Sequence, residues 1–194
     1  MSFQAVPTLQ QLAIQGLLTD EDLSISALER LHTFFYPPLF EQAFINRQTN
    51  VVKAMIISWP FPCLPLGSLI QYVHEDNFQA VLDGMDWLLN QPVWPKQCRL
   101  QVLNLHHIES GFEERCVRTQ NGFSRPKKEP LKKDPTTEGK QQTLKVLAEY
   151  THIFRTLKDY SDHFMQWLKL RKDRQGFSLN ITLTCNSLCN PGWF

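Results

Sequence analysis

The sequence predicts a mainly α-helical fold with a few β-strands, and three observations carry that reading. From Pro7 to Leu89 apolar residues recur at helical spacing, broken only by short polar or proline-bearing joints. Two later stretches, Leu100-Gln-Val-Leu-Asn-Leu105 and Phe177-Ser-Leu-Asn-Ile-Thr-Leu-Thr184, alternate with the period of a strand that buries one face. Between these regimes lies Trp59-Pro-Phe-Pro-Cys-Leu-Pro-Leu-Gly67, whose three prolines rule out a helix or a sheet interior while its bulky side chains demand burial.

Taken in order, the elements justify themselves locally. Pro7 suits the first turn of a helix carrying Leu9, Leu12, Ala13, Leu17 and Leu18, and Thr19 or Asp20 can cap the next, which carries Leu23, Ala27, Leu28 and Leu31. Pro37 can open a third helix with Phe40, Ala43 and Phe44, and Thr49 can cap a fourth, with Val51, Val52, Met55 and Ile56, ending near Trp59. The proline run reads as a packed joint between amphipathic helices. After it, a short helix near Leu66 to Tyr72 precedes one from Asn77 to Leu89, with Asp76 and Gln79 placed as a capping box.

Pro92 and Pro95 end this helical region, and Leu100 to Leu105 then takes the L-x-x-L-x-L form of a leucine-rich repeat strand, a form that any single buried strand also satisfies. Residues 109–142 hold no sustained apolar period and read as a flexible, solvated insertion. From Thr143 to Lys172 the spacing of Leu144, Leu147, Thr151, Phe154, Leu157, Phe164 and Trp167 predicts a long amphipathic helix with basic residues at its end. Gly176 stops it, and a strand follows to Thr184. The ending, residues 185–194, is irregular and reads as a chain cut short. The expected organisation is therefore a helical region 1–91, a first repeat-like strand in 92–108, the insertion 109–142, a long helix plus strand in 143–184, and the tail.

Composition bounds the function. A formal net charge of +1 over 194 residues gives no global basic character for direct nucleic-acid binding. No apolar run reaches the roughly 18 to 20 residues that span a bilayer, and the start lacks the cationic and apolar segments of a secretory signal. The expected location is the cytoplasm, with the nucleus as a second site. The cysteines at 63, 98, 116, 185 and 189 are odd in number and scattered, which fits reduced thiols better than a disulfide framework.

The search for chemistry points away from an enzyme. There is no phosphate-cradling glycine loop, no H-E-x-x-H and no nucleophile elbow. Cys185 with Cys189, and His106-His107 with Cys116, lack the partner spacing of a metal or catalytic set, while Glu75, Asp83 and Asp86 fit the wet face of a helix. No metal and no cofactor is expected. Arg125, Lys127, Lys128, Lys132 and Lys133 form a basic patch that fits either a plain linker or a nuclear-localisation signal.

Protein-binding signals are more specific. Thr8, Leu9, Leu12, Ala13 and Leu17 fit an elongin-binding box, in which leucines enter a partner groove and a small residue lets the partner backbone approach; a core stripe on the chain's own helices fits the same pattern. Downstream, Tyr36, Pro37 and Phe40 lie in a cullin-box-like segment, Tyr36-Pro-Pro-Leu-Phe40, with Ala43 small where a larger residue is expected. Ile14-Gln-Gly-Leu17-Leu18 approximates a nuclear-receptor box and overlaps the first motif.

These segments, with Leu17-Leu-Thr-Asp-Glu-Asp-Leu-Ser-Ile-Ser-Ala-Leu-Glu-Arg-Leu31, Lys53-Ala-Met55, the Trp59 to Gly67 run, Ala80-Val-Leu-Asp-Gly-Met-Asp-Trp-Leu-Leu89 and Cys98-Arg-Leu-Gln-Val-Leu-Asn-Leu105, together resemble the PRAME family (preferentially expressed antigen in melanoma), in particular its oogenesin-like members. The resemblance covers residues 8–105 closely and 143–172 more loosely. It implies the helical cap region of a leucine-rich repeat solenoid whose array is largely missing. It also implies a non-catalytic substrate-receptor adaptor of a cullin 2 elongin B/C RING ubiquitin ligase, with family links to repression of transcription, restraint of differentiation and apoptosis, and proliferation in germ cells. The alternatives are a transcriptional corepressor-type protein that meets a nuclear receptor or corepressor, and a truncated product without substrate binding.

Overall fold

The computed structural model describes residues 6–106, 111–122, 143–149, 161–173 and 177–182. The chain divides into two compact units, the first built from Met1–Pro60 and Tyr72–Arg99 and the second from Phe61–Gln71 and Leu100–Phe194.

The first unit is helical. α1 spans Leu9–Leu17, α2 Glu21–Ala27, α3 Tyr36–Ile45, α4 Thr49–Ile57 and α5 Glu75–Asn90, with a 3-10 turn at Thr33–Phe35. Their ends follow local chemistry. Thr8 caps α1, so Pro7 stands just outside the first turn in which the sequence placed it. Asp20 caps α2 by accepting from the Leu23 N–H at 3.0 Å, while Thr19 donates its hydroxyl to the Gly16 carbonyl at 2.6 Å and closes α1. Pro37 and Pro38 occupy the first turn of α3, where a missing N–H costs nothing. That helix ends with Arg47 at φ 58°, its N–H bonded to the Phe44 carbonyl at 3.2 Å and the Gln48 N–H to Ala43 at 2.9 Å. This is the paired-bond helix stop that usually takes glycine. Thr49 begins α4 as its first helical residue rather than capping it, since Gln48 holds the cap position.

The start of α5 also differs from the expected Asp76–Gln79 box. His74 is the cap residue, and Asn77 Oδ1 accepts its N–H at 2.7 Å. Asn77 is fully buried and also donates Nδ2 to the carbonyls of Phe44 at 2.9 Å and Tyr72 at 3.0 Å. Gln79 instead donates to Asp83 at 2.6 Å. A buried amide with all three of these bonds made is worth most when its loss would strand the partners. Asn77→Leu is expected to cost about 1–3 kcal/mol, because the His74 N–H and the Tyr72 carbonyl would lose this partner and the Phe44 carbonyl would keep only its bond from the backbone at the end of α3. Urea unfolding checks this, and an unchanged midpoint would contradict it.

Apolar packing fixes the rest of this unit. Trp59 is fully buried, with the Phe40 ring at 5.1 Å and the Tyr36 ring at 6.3 Å, both edge-to-face, and Phe40 stacks on Phe44 at 5.8 Å. Val51, Val52, Met55 and Ile56 of α4 meet a core that also holds Phe78, Val81, Leu82 and Met85 of α5. Gly84 permits that contact: a Cβ there would lie 2.8 Å from Ile56 Cβ and 3.2 Å from the Lys53 carbonyl.

The second unit carries a four-stranded parallel sheet in the order β1 (Cys63–Leu64), β2 (Val102–Asn104), β3 (Leu144–Glu149), β4 (Phe177–Thr182). Helices α6 (Phe112–Gly122) and α7 (Ser161–Lys169) lie between later strands in the chain, and a 3-10 segment, Leu66–Tyr72, follows β1. α6 corrects the flexible insertion expected over 109–142: its Phe112 and Cys116 are buried, one turn apart, and that anchors a helix otherwise rich in polar residues, while 123–142 lie outside the described residues. The proline run thus contributes a strand at the outer end of the sheet order, which is where proline is tolerated. Pro62 and Pro65 flank it, and the Pro62 carbonyl accepts from both Gln101 and Val102 at 2.9 Å.

The long helix expected from Thr143 is corrected here, because Leu144–Glu149 is strand and the described helical part is Ser161–Lys169. Leu144, Val146 and Ala148 are fully buried while Lys145 and Leu147 are half-exposed, a period of two hidden inside apparent helical spacing. β3 pairs with β2 on one side and β4 on the other, so its backbone bonds are met across the sheet. In α7, Phe164 stacks with Trp167 at 6.3 Å, and the Trp167 ring meets Phe177 of β4 edge-on at 5.7 Å.

Candidate partner-binding helix

The elongin-box-like residues lie on α1, and its local chemistry sets which face they occupy. The Thr8 hydroxyl accepts from Gln11 N–H at 3.2 Å and Gln11 Oε1 accepts from Thr8 N–H at 2.8 Å, a reciprocal capping box. Ile14 and Leu18 are buried, one turn apart. The Ser24 hydroxyl donates to the Leu17 carbonyl at 2.8 Å and Gln48 Nε2 to the Leu18 carbonyl at 2.7 Å, which pins the helix end. These anchors turn Leu9 outward at 86% exposure and Leu12 at 49%, with Thr8 and Ala13 also exposed. Leu17 is half-buried at the margin between the faces.

The outward face is free of charge, since Leu9–Leu17 contains no ionisable residue. Gly16 continues it, with nothing within 4 Å of where a Cβ would stand. The arrangement offers leucine side chains beside a small-residue stretch that a partner backbone can approach closely. The core-stripe alternative is met by a different pair, Ile14 and Leu18. Those two are also the outer residues of the nuclear-receptor-box-like segment, so that motif faces inward.

The cullin-box-like residues occupy a different setting. Tyr36, Pro37 and Phe40 are all buried. The Tyr36 hydroxyl donates to the Leu28 carbonyl at 3.0 Å and stands 3.3 Å from Ser58 Oγ. Burial raises its ionisation above the usual phenol value of 10.0, with the Ser58 contact working against that shift and Cys98 adding slightly to it. The exposed aromatic nearby, missed in the sequence, is Phe34 at 60% exposure. Arg125, Lys127, Lys128, Lys132 and Lys133 lie outside the described residues, as do His107, Cys185 and Cys189.

Other chemistry-bearing groups are placed as follows. Cys63, Cys98 and Cys116 are buried. Burial pushes the Cys63 thiol up to about 12 from 9.0, with Arg115 pulling weakly the other way. It is therefore a neutral thiol at physiological pH. Because the folded thiol ionises later than the unfolded one, this stabilisation is present below pH 9.0 and is lost as pH rises toward about 12. Unfolding free energy is expected to fall above about pH 9 with a slope approaching ~1.4 kcal/mol per pH unit, Tyr36 adding in the same direction above about pH 10. Urea titrations at about pH 8 and about pH 10.5 check this, and Cys63→Ala is expected to flatten the dependence. His106 is half-buried and its Nε2 meets no partner among the described residues.

A groove of about 540 Å³ opens beside the starts of α4 and α5, lined by Arg47, Asn50, Lys53, Glu75, Asp76 and Asp83 among others. Arg47 Nη2 meets His74 Nε2 at 2.7 Å, and Asn50 donates to Glu21 at 3.0 Å. Glu75 and Asp76 lie in the first turn of α5, where the helix dipole favours carboxylates. Among the described residues, no group of three or more His, Cys, Asp or Glu side chains is arranged to hold a metal ion, and no helix is long and apolar enough to cross a membrane.

A family model described as the PRAME N-terminal domain matches residues 6–113. Human PRAME family member 12 is 40% identical over 177 residues, covering 89% of this chain and 36% of its own length. Human PRAME family member 18 is 34% identical over 194 residues, covering 98% and 39%, and mouse Oogenesin-2 is 35% identical over 192 residues, covering 97% and 38%. The chain thus spans less than two fifths of the length of these relatives. No solved structure matches it.

Proposed function

The chain belongs to the PRAME family, and from that premise we propose that it is a non-catalytic adaptor that docks on elongin B/C of a cullin 2 ubiquitin ligase through the outward face of α1. One observation carries the reading: Leu9, Leu12 and Ala13 are exposed while Ile14 and Leu18 hold the same helix to the core. A docking helix needs both, an apolar face for the partner and a separate face that fixes its orientation beforehand. Tyr36, Pro37 and Phe40 serve the core in this reading. The exposed Phe34 just upstream is the aromatic available to cullin 2.

The parallel strands, taken up in chain order, are the arrangement that stacked leucine-rich repeats produce, and we assign them to the opening of such an array. Substrate capture, which the family resemblance implies, would be the task of such an array. Negative regulation of transcription, differentiation and apoptosis, and support of proliferation, are the cellular outcomes the family resemblance assigns to the adaptor, acting in the cytoplasm and nucleus. The corepressor alternative draws less support, because Ile14 and Leu18 of its docking motif are buried.

The test is assembly from purified components. Wild type mixed with elongin B/C is expected to elute as one complex on size-exclusion chromatography. Leu9→Asp combined with Leu12→Glu is expected to weaken binding at least about 100-fold, since each removes an interface leucine worth roughly 1.5–3 kcal/mol. Acidic residues in the first turns suit the helix dipole, so α1 itself should persist. A natively folded wild type that forms no complex would overturn the proposal.

A further inference from the structure

We draw no further inference here: the strongest candidate, the charged groove at the starts of α4 and α5 lined by Arg47, Lys53, Glu75, Asp76 and Asp83, is a cluster of surface side chains at helix N-termini, and nothing in the structure points to a ligand that would fill it.

Discussion

A Gly67→Ala chain is expected to have a severely destabilised second unit. A Cβ at this position would collide with the His106 carbonyl oxygen and lie 2.9 Å from the Leu105 carbonyl carbon. Both obstacles are backbone, so no rotamer change relieves the clash. Moving them would displace the segment just after β2, where the Leu105 N–H is bonded to the Leu147 carbonyl at 2.8 Å. Overpacking that forces a backbone shift and strains a sheet bond costs upward of about 3 kcal/mol. For a unit of this size that corresponds to a melting temperature lower by roughly 12–24 °C. The matched control is Gly16→Ala, which adds a methyl where nothing stands within 4 Å and should stabilise α1 by up to about 1 kcal/mol. Thermal unfolding of both variants reads the difference. A Gly67→Ala chain within about 1 kcal/mol of wild type would mean that the contact yields easily.

The helical region was legible because its signals are local. Pro37 and Asp20 announce their helix starts through groups that act within one turn. The misplaced start of α5 shows the limit of that logic. Asp76 and Gln79 have suitable chemistry, but the cap falls on His74, whose N–H the Asn77 side chain accepts while it also satisfies the Phe44 and Tyr72 carbonyls, which no local reading sees. β3 failed for a related reason. Leu144 and Leu147 fit a helix, and Leu144, Val146 and Ala148 fit a strand; the pairing with β2 and β4 decides between them. The prolines of the Trp59 to Gly67 run exclude a sheet interior, but the two residues it lends to the sheet's outer end are placed only by β2, which pairs with them.

The candidate site shows the same division. Sequence contains two apolar stripes on α1, Leu9 with Leu12 and Ala13, and Ile14 with Leu18. Helical spacing alone does not say which one faces the protein. The choice is made by tertiary packing: Ile14 and Leu18 are the pair that is buried, and Ser24 and Gln48 hold the helix end by bonding the Leu17 and Leu18 carbonyls from elsewhere in the chain. The Tyr36 to Phe40 segment poses the converse problem. Hydrophobic residues that bind a partner and hydrophobic residues that fill a core are the same residues, so only burial separates them.

Those two hydrophobic sets should separate cleanly by mutation. Phe40 has no exposed surface and contacts the rings of Trp59 and Phe44. Phe40→Ala removes that packing and leaves a void, for an expected loss of about 3–5 kcal/mol. The melting transition of the first unit should fall by roughly 12–40 °C, and any loss of elongin B/C binding should track the fraction unfolded. Leu9→Asp changes a side chain with 86% of its surface in solvent, so its stability should stay within about 0.5 kcal/mol of wild type. Its binding should nonetheless drop at least about tenfold, because a leucine buried in an interface contributes roughly 1.5–3 kcal/mol. Paired melting and binding curves for the two variants measure both quantities. If Phe40→Ala lost binding while melting like wild type, the residue would be a partner contact and α3 would have to turn outward on assembly; if Leu9→Asp bound normally, the outward face of α1 would not be the docking surface.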